Sequence, residues 1–391
     1  MRVARARKII GVDIGADEMG SIFSRLGLTF QREGDETFVI APPSWRFDIE
    51  IEEDLIEEVA RVYGFDRIPA LPPVAQAIMR SAPERLLSSH ALRDRLVAAG
   101  YQEVINFSFV EEAWESDLAG NERPIRLLNP IASQQSVMRS TLIGSLLGTM
   151  RYNLARKAEQ VRVFELGRVF LRDAEAQDGD RDVAGVRQPM RIAGMACGPA
   201  WDEQWGIATR VVDFFDAKGD VEALIAPKPV RFERAAHPAL HPGRSARILV
   251  DGEAAGWIGE LHPRWQQKYE LPSAPVVFEL DVQMLGDRGR PAYHEVSKFP
   301  PVVRDIAVLV AENVEVGALL EEMDVQRETA VRDIRLFDVY RGKGVAPGEK
   351  SLAFRVVMQD TDKTLTDQDA DFAMARLSQA LATRFGAKLR S

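Results

Sequence analysis

Four carboxylates near the N-terminus form the densest group of residues able to do chemistry. They lie in Trp45-Arg46-Phe47-Asp48-Ile49-Glu50-Ile51-Glu52-Glu53-Asp54-Leu55-Ile56-Glu57-Glu58. Asp54, Glu57 and Glu58 stand at i, i+3 and i+4, so they share one face of a helix. Asp48 is just upstream and can fold back over that turn. Oxygen donors with no His or Cys among them suit a hard cation, Mg²⁺ or Ca²⁺. The same pattern has a plainer reading, because acidic residues at a helix N-terminus are favoured by its dipole, at about 0.3–1 kcal/mol each. Spacing alone leaves both readings open.

Other candidates carry less. His237, His241 and His262 are each followed by Pro, and His237 and His241 are four apart. Pro238 and Pro242 argue against a continuous helix there, and no acidic third ligand sits at a standard spacing, so turn-packing or hydrogen-bonding roles are expected. Gly342-Lys343-Gly344 echoes a phosphate loop but joins two expected strands and opens no helix. Cys197 falls in an apolar strand and is expected in the core. Near the C-terminus, Phe337 and Tyr340 with Arg335, Arg341 and Lys343 combine rings for base stacking with cations for phosphate. The alternative there is a core Phe337 surrounded by solvated cations.

These residues need elements to hold them. Two Pro-containing stretches, 68–73 and 288–301, divide the chain into three expected pieces, residues 1–75, 76–290 and 297–391. The first reads as mixed α/β: a helix over 17–26, a strand over 37–41 and a helix from 51 to 63 with Leu55, Ile56, Val59 and Val62 as its buried stripe. The second opens with a helix over 84–99, followed by a strand with Ile105, Phe107 and Phe109 on one face. A helix over 142–156 then leads into a strand over 161–170. Asp251-Gly252 marks a tight hairpin between strands 247–250 and 255–258. The pattern predicts a largely antiparallel sheet with helices on one side. The third piece alternates strand and helix as β-α-β-β-α-β, the ferredoxin-like arrangement. The expected fold class is therefore α+β, multidomain.

Composition narrows the function classes. The chain has 391 residues, of which 46% are hydrophobic, and 50 Lys+Arg against 59 Asp+Glu give a net charge of −9. That sign argues against a general nucleic-acid coat or an anionic-membrane binder. A single cysteine excludes a disulfide scaffold and a Cys-based zinc cluster. No apolar run approaches the roughly 20 residues of a membrane span. The first residues run straight into Ile9-Ile10, read as strand-like, with no hydrophobic signal region. A cytoplasmic location is expected.

Longer motifs add a resemblance. Pro42-Pro43-Ser44-Trp45-Arg46-Phe47-Asp48 followed by 52–64, from Glu52 through Tyr63-Gly64, is similar to the signature of bacterial phenylalanine–tRNA ligase β subunits. So are Asn129-Pro130, Met138-Arg139-Ser140-Thr141-Leu142, Phe164-Glu165-Leu166-Gly167-Arg168-Val169-Phe170 and His241-Pro242-Gly243-Arg244-Ser245-Ala246. Lys298-Phe299-Pro300-Pro301 with Arg304-Asp305-Ile306-Ala307, and 336–344, resemble that family's anticodon-binding domain. The similarity runs through essentially the whole chain.

The resemblance implies a winged-helix-like domain of the B-five type over 1–75, a class II synthetase catalytic-like module over 76–290 and a ferredoxin-like anticodon-binding domain over 297–391. It implies a Mg²⁺ held by Asp48, Asp54, Glu57 and Glu58 near the contact with an α subunit, in an α2β2 heterotetramer that uses ATP to join phenylalanine to tRNA(Phe). It also implies no catalytic residue here. An active class II site needs fixed arginines on the ATP phosphates; Arg162 and Glu165 offer a distorted echo of one motif, and 276–282 supplies none of the other. The module is thus expected to be scaffold, with Arg139, Asn153 and Arg156 serving interface packing. The family's upstream oligonucleotide-fold and editing domains are not in this sequence, so Met1 is expected to be a fragment start or a misassigned start codon, and proofreading is not expected of this polypeptide. The competing reading is a stand-alone winged-helix nucleic-acid-binding or interaction module. Nine Lys/Arg against fourteen Asp/Glu in residues 1–75 give the wrong sign for a duplex-DNA surface.

Overall fold

The computed structural model describes residues 1–75, 78, 86–286, 293, 295–328 and 330–390. The expected helix start at 84 and residues 288–292 and 294 of the second Pro-containing stretch lie outside them. The chain falls into two compact units, Met1–Ser81 and Ala82–Ser391.

The first unit holds helices Val3–Ile10, Ala16–Arg25 and Glu52–Tyr63, and a hairpin of Phe30–Glu33 with Thr37–Ile40. The last two helices and the second strand follow the sequence reading. The strand at Ile9-Ile10 does not: these residues end a helix. Val3, Ala6 and Ile10 are its buried residues, at helical spacing, and Gly11 closes it at φ +79°. Two β-branched residues side by side gave a misleading local signal. The helices bury Met19, Ile22, Phe23, Ile56 and Val59 with Phe38 of the hairpin. Phe23 meets Phe38 edge-on at 5.4 Å.

The second unit contains a seven-stranded sheet. Its order is Val230–Arg234, Leu240–Val250, Glu253–Leu261, Val276–Asp281, Met190–Cys197, Val161–Arg168 and Gln102–Glu103. Neighbours are antiparallel except the last pair, which is parallel. Asp251 and Gly252 turn the hairpin with φ +53° and +83°, the left-handed pair a two-residue turn requires. Helices cover both faces, not one. Phe164, Ile192, Ile258, Phe278 and Leu280 pack with Leu92 and Leu96 and with Ala217, Val221 and Leu224, from helices Ser89–Ala98 and Phe214–Ile225. Val163, Ala193, Met195 and Val277 pack with Leu146, Leu147 and Met150 of helix Ile143–Leu154. Consecutive apolar residues such as Val276, Val277 and Phe278 are the pattern of a strand buried on two sides.

The expected strand with Ile105, Phe107 and Phe109 on one buried face is also corrected. Only Gln102–Glu103 and Phe109–Val110 are strand, and Ile105 and Phe107 are exposed. They alternate with Asn106, which turns inward to hydrogen-bond Glu165 and Thr149.

The C-terminal part is ferredoxin-like. Its antiparallel sheet runs Val331–Tyr340, Glu349–Met358, Val302–Ala311, Lys388–Leu389. Helices Val316–Gln326 and Asp367–Phe385 contribute Leu319, Met323, Leu377 and Leu381 against Ile306, Val308, Leu352 and Phe354. Ile306, Val308 and Val310 are buried and alternate with the half-buried Ala307 and Leu309, so the strand turns one face to the core and the other outwards.

Candidate functional site

The N-terminal carboxylates do converge in part, but on a guanidinium. Arg46 donates from Nε and Nη2 to Asp48 at 2.9 and 2.7 Å, and its Nη2 lies 3.1 Å from Glu58. Arg61, one turn along the helix, donates to Glu58 at 2.6 Å. The Arg46 bond holds the Asp48 carboxyl below its ordinary range, and Arg61 first, then Arg46, do the same for Glu58. Glu58 is itself buried against the unit's core, so a partner for its charge is required. Asp54 turns backwards, accepting the Glu50 and Ile51 amides at 2.8 Å each, and so caps the first turn of Glu52–Tyr63. Glu57 is exposed.

Among the described residues, no three His, Cys, Asp or Glu side chains gather at metal-binding spacing. The donor set is nonetheless all oxygen and anionic, and Asp48 and Glu58 already share one positive group. In chemistry the four residues fit a hard cation. Sequence reasoning missed Arg46 as their present partner. It sits in the quoted motif, but only the fold-back of 46–48 over the helix brings it there.

In the larger sheet, the residues that echoed a catalytic motif serve the fold. Arg162 donates to the Ala200 carbonyl at 2.8 Å and lies 3.9 Å from Asp220. Glu165 forms a buried ion pair with Arg139 at 2.8 Å. Arg139 also donates to the Arg168 carbonyl and to Ser145. Arg139 is only 2% exposed, so its expected place in interface packing is corrected: it is an interior residue. Asn153 donates to its own helix at Thr149, and Arg156 lies over the exposed ring of Tyr152, 3.3 Å from its centroid. Ile105, Phe107, Leu128, Ile131 and Tyr152 are all exposed apolar side chains of this module. Asn106 ties the Ile105–Phe107 segment to the helix that carries Tyr152.

The three histidines behave alike. His237, His241 and His262 each accept, through Nδ1, the amide two residues on: Ala239 at 3.2 Å, Gly243 at 3.0 Å and Arg264 at 3.1 Å. That is the turn role expected of His-Pro, and it occupies one ring nitrogen of each. Cys197 is buried, 3.2 Å from the Ser273 hydroxyl.

The same sheet carries a cleft that sequence reasoning overlooked, with a volume of about 1040 Å³. Glu279 lies in its floor, 4% exposed, accepting the Leu142 amide at 2.7 Å, the Thr141 hydroxyl at 3.0 Å and Arg191 at 2.9 Å. The signal was present: along Val276–Asp281 one face reads Val277, Glu279, Asp281, an apolar row that turns acidic.

On the exposed face of the ferredoxin-like sheet, Arg335, Arg355 and Asp305 align across three strands. Phe337 is exposed, so the core reading of that residue falls away, and the Arg355 guanidinium lies 5.0 Å from its ring centroid. Arg390 lies over Tyr340 at 4.5 Å. Arg335 pairs with Asp333, Arg341 with Glu312 at 2.6 Å, and Arg355 with Asp305 at 2.8 Å. Lys343 is exposed in the loop after Tyr340, whose hydroxyl donates to its carbonyl at 3.3 Å. Arg355 and Arg390 were not anticipated; Arg355 falls on the strand neighbouring the chosen set, and Arg390 follows the last strand, Lys388–Leu389.

Comparison with known proteins follows the same three parts. Residues 1–65 match the family described as tRNA synthetase B5 domain, residues 68–282 the phenylalanyl tRNA synthetase beta chain CLM domain, and residues 297–390 the ferredoxin-fold anticodon binding domain. The phenylalanine–tRNA ligase beta subunit of Burkholderia lata is 60% identical over 399 residues, that of Burkholderia pseudomallei 58% over 399, and that of Ralstonia nicotianae 55% over 400. Each alignment takes in 100% of this chain and 49% of the relative, so the chain spans about half the length of the relatives it matches. With a family match over more than half its residues and identity of this order along its whole length, the chain belongs to the phenylalanine–tRNA ligase β-subunit family.

Proposed function

We propose that this chain acts as a non-catalytic β-type component of the ligase that uses ATP to attach phenylalanine to tRNA(Phe), with an α subunit making the bonds. The observation that carries this reading is the identity of 55–60% to β subunits along the whole of this chain, which spans about half their length. The division into a winged-helix-like part over 1–75, a class II catalytic-like module over 76–290 and an anticodon-binding part over 297–391 belongs to the same proposal. The engagement of Arg162 and Glu165 in internal contacts supports the scaffold role, because a guanidinium tied to a carbonyl is not directed at a phosphate. The stand-alone nucleic-acid module is not favoured, given the acidic balance of residues 1–75.

Three surfaces would divide the work. Ile105, Phe107 and Tyr152 would bury against the α subunit, since apolar groups exposed together mark interaction surfaces. Asp48, Asp54, Glu57 and Glu58 would hold a Mg²⁺ near that contact; when bound, the ion would supply charge neutralisation and a fixed loop geometry. Arg46 would have to yield Asp48 and Glu58 for that to occur. Arg335, Phe337, Tyr340, Arg341 and Lys343 would contact tRNA by stacking and phosphate pairing. The test is phenylalanine-dependent exchange of pyrophosphate into ATP. No exchange is expected from this chain alone, and exchange only when an α subunit is added. Exchange by the pure chain would overturn the reading.

A further inference from the structure

The cleft in the seven-stranded sheet has no part in the function proposed above, yet it is built as a binding site. At its floor the buried Glu279 is fully engaged, by the Leu142 amide, the Thr141 hydroxyl and Arg191. Charge in the cleft does not balance locally. Arg191 is matched by Glu279, Asp173 is claimed by Arg187 at 2.8 Å, and Asp281, the remaining carboxylate of the lining, accepts the Gln283 amide at 2.9 Å. Arg123, Arg172 and Arg247 also line the cleft, and among the described residues none of the three has a carboxylate within 4.0 Å. Arg172 is held in position by donating to the carbonyls of Arg123 at 3.0 Å and Pro124 at 3.3 Å. A guanidinium anchored by neutral groups keeps its charge for a visitor.

Next to these cations is a flat aromatic wall. Trp257 has the His237 ring at 5.0 Å and the Arg247 guanidinium at 5.1 Å from its own ring. Burial lowers the proton affinity of His237, and its Nδ1 already accepts an amide, so that ring favours its uncharged form. The volume is that of a pocket for a small organic molecule. From this juxtaposition we infer that the cleft binds a ligand joining a flat ring to an anionic group, the ring lying against Trp257 and the anion reaching Arg172 and Arg123. A carboxylate or a phosphate meets that description equally.

The test is titration of the full chain, by calorimetry, with adenosine monophosphate and separately with indole-3-acetate. Adenosine and inorganic phosphate serve as half-ligands of the first, indole and acetate as half-ligands of the second. Saturable binding of either whole ligand, with both halves at least about tenfold weaker, supports the inference, and whichever ligand binds tells phosphate from carboxylate. Trp257→Ala and Arg172→Ala should each weaken that binding by about tenfold, near 1.4 kcal/mol, with the circular dichroism spectrum and melting temperature of the parent. Arg172→Lys, which keeps charge without the planar fork, should recover part of the loss. Absence of saturation by both ligands at millimolar concentration would overturn the inference. So would binding that persists unchanged in folded Trp257→Ala.

Discussion

Asp54 shows how much one side chain can hold in the N-terminal unit. Its carboxylate is the reciprocal cap of the helix that carries Glu57 and Glu58. Asp54→Ala should therefore cost about 1 kcal/mol of stability without any metal present. Urea unfolding in chelator would measure it; an unchanged midpoint would show that the cap does not matter. A neighbouring pair gives a pH signature. The Arg2 side-chain bond holds Glu52 at about 2, against an ordinary value of 4.5. A depressed carboxylate adds stability that is complete above 4.5 and is lost as pH falls towards 2. Protection of the Glu52–Tyr63 amides from hydrogen exchange should fall through that window, and Glu52→Gln should flatten the fall. An equal fall in both proteins would remove this pair as the cause. The carboxylate cluster was legible as a cluster because its spacing is helical. The Arg46 contact was not, since it depends on a loop folding back, and no periodicity encodes that.

Packing decides the outcome where local propensity points the other way. Helix Ile143–Leu154 carries Gly144 and Gly148 one turn apart, and the Trp114 ring lies across both. A methyl group at either would come within 2.8 Å of that ring. Alanine improves helix propensity by about 1 kcal/mol, but overpacking costs about 1–3 kcal/mol, so Gly144→Ala is expected to lower the melting temperature. A rise would mean that Trp114 moves aside freely. The Arg139–Glu165 pair works at the same scale by joining the start of this helix to the sheet. Arg139→Met should cost about 3–5 kcal/mol by stranding a buried carboxylate, and adding Glu165→Leu should restore part of it. Additive losses in the double-mutant cycle would refute that coupling. The elements themselves were readable where one face is buried, as in Glu52–Tyr63 and Val302–Ala311. Helices on both faces of the large sheet were not, because a helix's own pattern does not say which face of the sheet it covers. The alternation at Ile105 and Phe107 was real, but it pointed outwards.

Over the whole molecule, a net charge of −9 means that the proposed tRNA contacts would have to be local. Arg341→Ala with Lys343→Ala should weaken tRNA binding and reduce its dependence on salt, each lost phosphate contact lowering the slope by about 1. Unchanged affinity and slope would remove that loop from the RNA face. The family was legible because long motifs survive intact from end to end. The cleft beside Glu279 was not, since it forms only when Met190–Cys197 and Val276–Asp281, far apart in sequence, pair side by side. The central claim is that this chain contributes surfaces to an assembly whose chemistry lies in another polypeptide. Its most direct measurement is size-exclusion chromatography with light scattering on a mixture of this chain and a bacterial phenylalanine–tRNA ligase α subunit, with Mg²⁺ and with chelator. The account predicts one co-eluting complex in Mg²⁺, weakened by chelator and abolished by Ile105→Asp with Phe107→Asp in a chain that still folds. Two separate peaks from folded proteins at every Mg²⁺ concentration would contradict it.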